Sequence, residues 1–339
     1  MTAPYSAAIF DPEGAALSEN EKAFFRDANP FGFILFARHC GSPEQVKRIV
    51  GELKSLTGRD HLPILIDQEG GRVARLKPPH WPKYPPAGVF AALYEREPEK
   101  AKRSTYLNAR LMAQDLYDLG ITVDCAPLAD LAVKGAHDII GDRAFGAEPA
   151  QVIALARAMA EGLADSGVVS VLKHIPGHGR ARADSHEELP VVHEPLEVLR
   201  ATDFVPFKAL ADLPMAMTAH IRYEAIDAHA MATQSKTVIA LIREELGFNG
   251  LLLSDDLAMK ALTGNLADRA RDSLAAGCDV VLHCNGSLKD KQAVMQGVGA
   301  LAGEGLKRAE AAMASAGAPK PFDAMQVRAE LNIMLSSCA

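Results

Sequence analysis

The stretch Val169-Ser170-Val171-Leu172-Lys173-His174-Ile175-Pro176-Gly177-His178-Gly179 decides how the chain is read. It opens as a short apolar run and ends in chemically able side chains, followed by proline and glycine that forbid a continuing helix. A run of this kind, closed by turn signals, reads as a strand covered on both faces, which is the habit of parallel sheets. The pattern recurs. Candidate strands fall at 7–10, 32–36, 63–66, 122–126, 169–172, 215–218, 250–253 and 279–283. Amphipathic stretches at 19–28, 43–56, 98–119, 149–166, 196–213, 236–246 and 265–276 separate them. Prolines and small polar residues sit at several of their starts, and Gly58, Gly120, Gly167, Gly247 and Gly277 follow several of their ends.

Eight strands alternating with helices predict the α/β class and a (β/α)8 barrel of the TIM type. A doubly wound open sheet has the same alternation, so strand count alone leaves both standing. The strand ends separate them. Arg38, His39, Asp67, Asp130, Lys173, His174, His220, Arg222, Asp255 and Asn285 all lie just past the C-terminal ends of candidate strands. A closed barrel gathers those ends at one mouth, whereas an open sheet strings them along a crest. We therefore expect one catalytic barrel domain over residues 1–339, with the barrel proper at about 5–300. The surplus over a typical ~250-residue barrel is assigned to loops at 76–97 and 132–148 and to C-terminal helices at about 288–339.

The 339 residues carry 36 Lys and Arg against 43 Asp and Glu, a formal charge of −7, so no long-range attraction for nucleic acid or anionic membrane is expected. At 48% hydrophobic and 23% charged residues, the composition is that of a globular chain and excludes disorder. The start Met1-Thr2-Ala3-Pro4-Tyr5-Ser6 shows no basic leader, and no apolar run approaches the ~18 residues of a membrane span. Five scattered cysteines (Cys40, Cys125, Cys278, Cys284, Cys338) form no CxxC pair, which suits a reducing compartment. A cytoplasmic protein is expected, a monomer or weak homo-oligomer.

Three segments carry chemistry. In the first, His174 and His178 are four apart, a metal-binding spacing only on a helix, and Pro176, Gly177 and Gly179 argue against one. No metal is expected. Further on, Asp184-Ser185-His186 places a carboxylate and an imidazole two residues apart; such a pair fixes a tautomer and serves acid/base chemistry near neutral pH, although a surface loop with incidental polar residues reads the same way. The second segment, Leu251-Leu252-Leu253-Ser254-Asp255-Asp256, ends an apolar strand in two carboxylates. One can act as nucleophile, base or ligand, and the other can cap the following turn; Asp255 is assigned to chemistry and Asp256 to structure. In the third, Asp67-Gln68-Glu69-Gly70-Gly71-Arg72-Val73-Ala74-Arg75, two glycines permit a turn that returns Arg75 toward Asp67, an acceptor and a donor for hydroxyls or an amide. Arg143, in Gly141-Asp142-Arg143-Ala144-Phe145-Gly146, reads by itself as a surface charge.

The Lys173–Gly179 run with Asp184-Ser185-His186, the Ser254-Asp255-Asp256-Leu257 strand end and the Asp67–Arg72 stretch together resemble glycoside hydrolase family 3. More narrowly, they look like the β-N-acetylglucosaminidases of bacterial cell-wall recycling. Gly277-Cys278-Asp279-Val280-Val281-Leu282 is similar to that family's last barrel strand, so the resemblance runs over roughly residues 5–300. Ile175 stands where phenylalanine is frequent, and Arg180 occupies a variable position. The resemblance implies Asp255 as nucleophile, His186 as acid/base with Asp184 as its partner, and Asp67, Arg75, Arg143, Lys173 and His174 as contacts to the terminal sugar. It also implies a retaining mechanism without cofactor on a muropeptide, N-acetylglucosamine β-1,4-linked to 1,6-anhydro-N-acetylmuramic acid. Three rivals remain: a phosphorylase, because a neutral acid/base tolerates an anionic acceptor; a broader β-glucosidase; and a silent sugar-binding barrel.

Overall fold

The computed structural model describes residues 4–135, 138–181 and 189–336. Eight strands close into a parallel barrel: β1 (Ser6–Phe10), β2 (Pro30–Leu35), β3 (Ile64–Ile66), β4 (Val123–Asp124), β5 (Val169–Ile175), β6 (Met215–Thr218), β7 (Leu251–Asp256) and β8 (Val280–His283). Each pairs with its sequence neighbours, and β1 pairs with β8 to complete the ring. That last ladder, Ala8 to Val281 through Phe10 to His283, excludes the open sheet.

Continuous apolar strands make sense here because both faces are covered. Ile9, Leu65, Val123, Val171, Met217, Leu253 and Leu282 form the barrel interior. Their neighbours Phe10, Ile66, Leu172, Ala216, Leu252 and Val281 pack outward with helix residues such as Val46, Ile49 and Leu53. The helices begin where local chemistry directs. Ser18 and Glu21 exchange capping bonds at the start of Glu19–Ala28, while Ser42, Pro43 and a left-handed Gly58 bound Pro43–Thr57. Leu301, Ala309 and Ala312 join the interior cluster, so helix Gly303–Ala314 closes the end of the barrel opposite the mouth. Helix Ala324–Ser336 docks on the long helix Pro98–Tyr117 through buried Leu331 and an Arg103–Glu330 pair at 3.0 Å.

Two expectations change. The 76–97 region is not all loop: Ala87–Tyr94 is a helix, apolar nearly all round, so it lacks the one-sided period that marks a surface helix. The 196–213 stretch is two helices, Leu196–Ala201 and Phe204–Ala209. The break falls at Thr202 and Asp203, where the buried Asp203 carboxylate takes a 2.6 Å bond from Arg180 Nε. No helix among the described residues is long and apolar enough to cross a membrane.

Candidate active site

Two strands slip register as they reach the mouth. On β5, Lys173 faces Met217 but Ile175 faces Thr218, so His174 is an extra residue. On β7, Leu253 faces Val280 and Asp256 faces Leu282, which leaves one residue over at Ser254 and Asp255. Bulges of this kind re-aim side chains at functional sites, and both occur at residues singled out from the sequence. The mouth holds a cavity of about 200 Å³ whose lining includes Asp67, Arg75, Arg143, Lys173, His174 and Asp255. That is smaller than the ~300–1,000 Å³ clefts that take drug-sized ligands, and it suits one small polar ring.

Lys173, 3% exposed at its side chain, reaches Asp67 Oδ1 at 3.0 Å and Glu69 Oε1 at 2.7 Å. Arg143 grips Glu69 with two bonds of 2.9 and 2.8 Å, and Arg75 donates to Asp67 Oδ2 at 2.9 Å. Three cations thus meet two carboxylates within one buried cluster. Burial works against ionisation of Asp67 and Glu69, but the surrounding cations outweigh it and hold both carboxyls below their usual range. Burial likewise opposes the charge on Lys173, and Glu69 and Asp67 more than restore it. Arg143 is correspondingly not a surface charge: its side chain is 11% exposed, and its pairing with Glu69 is what buries it.

The turn after β3 explains how Arg75 returns. Gly70 and Gly71 take φ of 95° and 57°, and a Cβ on Gly70 would lie 2.3 Å from the Pro85 carbonyl oxygen. Buried Gln68 fixes the far side, accepting N–H groups of Arg75 and Leu76 at 2.8 and 3.0 Å. Asp130, fully buried after β4, accepts His174 Nδ1 at 2.7 Å and the backbone N–H of His178 at 2.6 Å. Burial resists its ionisation, yet His174 and those N–H bonds keep its carboxyl low. The neighbouring His178 ring is pushed down to about 4 by burial and by His174. The two rings come within 5.5 Å, despite lying on no helix. Among the described residues, no group of three or more His, Cys, Asp or Glu side chains is arranged to hold a metal.

Asp255 lines the cavity, and its Oδ1 accepts the Asp256 N–H at 2.8 Å. Asp256, also on the cavity wall, accepts N–H groups of Ala258 and Cys284 at 2.9 and 3.1 Å. Asp184 and His186 lie outside the described residues. Glu69 was missed in the sequence, although it stands two residues beyond Asp67 and a buried lysine between two arginines needs more than one carboxylate. Asp130 was marked only as a strand-end residue, and Gln68 gave no signal, because its partners are backbone groups.

A TIM barrel that gathers ion pairs and the Asp255 carboxylate around a small cavity at its mouth has the form of a site for a small ligand. The model of the Glycosyl hydrolase family 3 N terminal domain matches residues 10–315. A Beta-hexosaminidase of Alkalilimnicola ehrlichii is 41% identical over 277 residues, 80% of this chain and 79% of that protein. One of Methylococcus capsulatus is 38% identical over 281 residues, 82% of each. The crystal structure of NagZ from Neisseria gonorrhoeae in complex with N-trifluoroacetyl-D-glucosamine superposes with a TM-score of 0.87 at 30% identity, over 99% of both chains. The chain belongs to glycosyl hydrolase family 3.

Proposed function

We propose that this barrel, a β-N-acetylhexosaminidase, releases terminal N-acetylglucosamine by double displacement on Asp255, with His186 as acid/base and Asp184 as its partner. An Asp255 carboxylate oxygen bonds to the anomeric carbon as the glycosidic C–O bond breaks, and the departing oxygen takes a proton from imidazolium His186. Water then attacks the same carbon, gives its proton to neutral His186, and frees Asp255 with the β configuration retained. Asp184 favours the imidazolium needed in the first step. Lys173, Arg143, Arg75, Asp67 and His174 grip hydroxyls and the acetamido group. The chemistry calls for no metal or organic cofactor. The substrate we assign is a cytoplasmic muropeptide, N-acetylglucosamine β-1,4-linked to 1,6-anhydro-N-acetylmuramic acid with or without its peptide, which rests on the family resemblance.

The observation that carries this reading is that Asp255 lines the same small cavity as five polar side chains drawn from β3, β5 and the loop after β4. His186→Ala tests it. Turnover of a β-N-acetylglucosaminide with a poor leaving group should fall by about 10²- to 10⁴-fold, while an activated aryl substrate loses far less. Equal losses on the two substrates would contradict the acid role. Sugar 1-phosphate formed only when inorganic phosphate is supplied would instead establish a phosphorylase.

A further inference from the structure

His220 lies two residues past β6, fully buried at the mouth, and nothing in the reaction above uses it. Its ring bridges two elements. Nε2 stands 3.0 Å from the backbone carbonyl of Asp256, at the end of β7, and Nδ1 stands 2.7 Å from the Thr233 hydroxyl. Thr233 in turn lies 2.8 Å from the Thr218 hydroxyl and 3.2 Å from the Ala219 carbonyl. A carbonyl only accepts, so a neutral imidazole must carry its proton on Nε2, and Thr233 must donate to Nδ1. The reverse tautomer would face lone pair to lone pair across the Asp256 contact. Burial lowers the basicity of the His220 ring.

This bond falls where β7 most needs one. The extra residue at Ser254 and Asp255 interrupts the ladder to β8, which is resumed by Ser254 Oγ accepting the Leu282 N–H at 2.9 Å and by Leu257 N–H reaching the Leu282 carbonyl at 2.9 Å. On the β6 side, the described ladder stops at Met217 with Leu253. From there to Asp256, His220 is the tie from the β6 side to the stretch that bears the carboxylate. The geometry points to His220 as a positioning residue that holds the Asp255–Asp256 peptide, and with it the nucleophile, at the anomeric carbon. This inference rests on the assignment of Asp255 as nucleophile.

The test follows covalent labelling by a 5-fluoro-N-acetylglucosaminyl fluoride with intact-protein mass spectrometry, on wild type, His220→Leu, His220→Gln and His220→Asn, each with a thermal melt. His220→Leu should lower the maximal labelling rate by about a hundredfold, the cost of a displacement near 1 Å, with the half-saturating probe concentration unchanged. His220→Gln, whose amide N–H reaches as far as Nε2, should regain most of the rate. His220→Asn reaches only toward Thr233 and should not. A folded His220→Leu that labels at the wild-type rate overturns the inference, as does one that loses only probe affinity. Should His220→Leu not fold, the order of Gln over Asn decides, and its reversal overturns the inference. Wild-type enzyme that labels at a residue other than Asp255 overturns the nucleophile reading itself, a result that cannot be confused with the others.

Discussion

On one side of the mouth, after β3, Asp67 and Glu69 meet cations; on the side built by β7 and β8, Asp256 meets backbone N–H groups. Asp67 and Glu69 are held below the usual carboxylate range by Lys173, Arg75 and Arg143. Asp256 accepts the backbone N–H groups of Ala258 and Cys284 and a bond from the Cys284 thiol, and burial pushes it up to about 6. His283 beside it is pushed down to about 4, chiefly by burial and by Lys291. One side therefore keeps its carboxylates paired with cations. The other has weakly compensated groups, and it is from that side that β7 presents Asp255. Under the mechanism proposed above, substrate grip and nucleophile fall on different sides of the ring of strands.

The comparison can be broken most severely at Asp255. Asp255→Ala should lower turnover by roughly 10⁴-fold or more. Near-wild-type turnover would remove Asp255 from the chemistry. Lys173→Met strikes the other side. It takes one cation from two buried carboxylates that keep Arg75 and Arg143, so denaturant unfolding should show a loss of stability and KM should rise. Its pH signature has a definite sign. Carboxyls with depressed folded values contribute stability that is present above their unfolded values near 4 and lost as pH falls. Without Lys173 those folded values rise toward the unfolded ones, so this acid-dependent loss should shrink. Asp256→Asn is the smallest change. Because the folded Asp256 value is raised to about 6, the folded state binds the extra proton between roughly pH 4 and 6, and stability declines as pH rises through that window. Asparagine should flatten that decline and change turnover little; an unaltered slope would deny that Asp256 is the source.

The barrel was legible because its signal is local: apolar runs short enough to be strands, each ending in a turn and a polar residue. Met215–Thr218 and helix Glu19–Ala28 match the expected spans. Helix Ala87–Tyr94 was not legible, since an element apolar nearly all round has no polar face to set a period. At the site, Asp67, Lys173 and Asp255 could be read as strand-end residues. The burial of Arg143 could not, because it depends on Glu69, 74 residues away in sequence. Likewise, the role of His220 depends on Asp256, 36 residues further along. Partnerships of this kind are created by closure of the barrel, so no window of sequence contains them.

The most direct test of the central claim is peptide-level mass spectrometry after trapping the enzyme with a 5-fluoro-N-acetylglucosaminyl fluoride. One fluorosugar equivalent should appear on the peptide bearing Asp255, with fragmentation placing it on that carboxylate. A stoichiometric adduct on any other residue, or continued turnover of the probe with inversion at the anomeric carbon and no adduct, would contradict it.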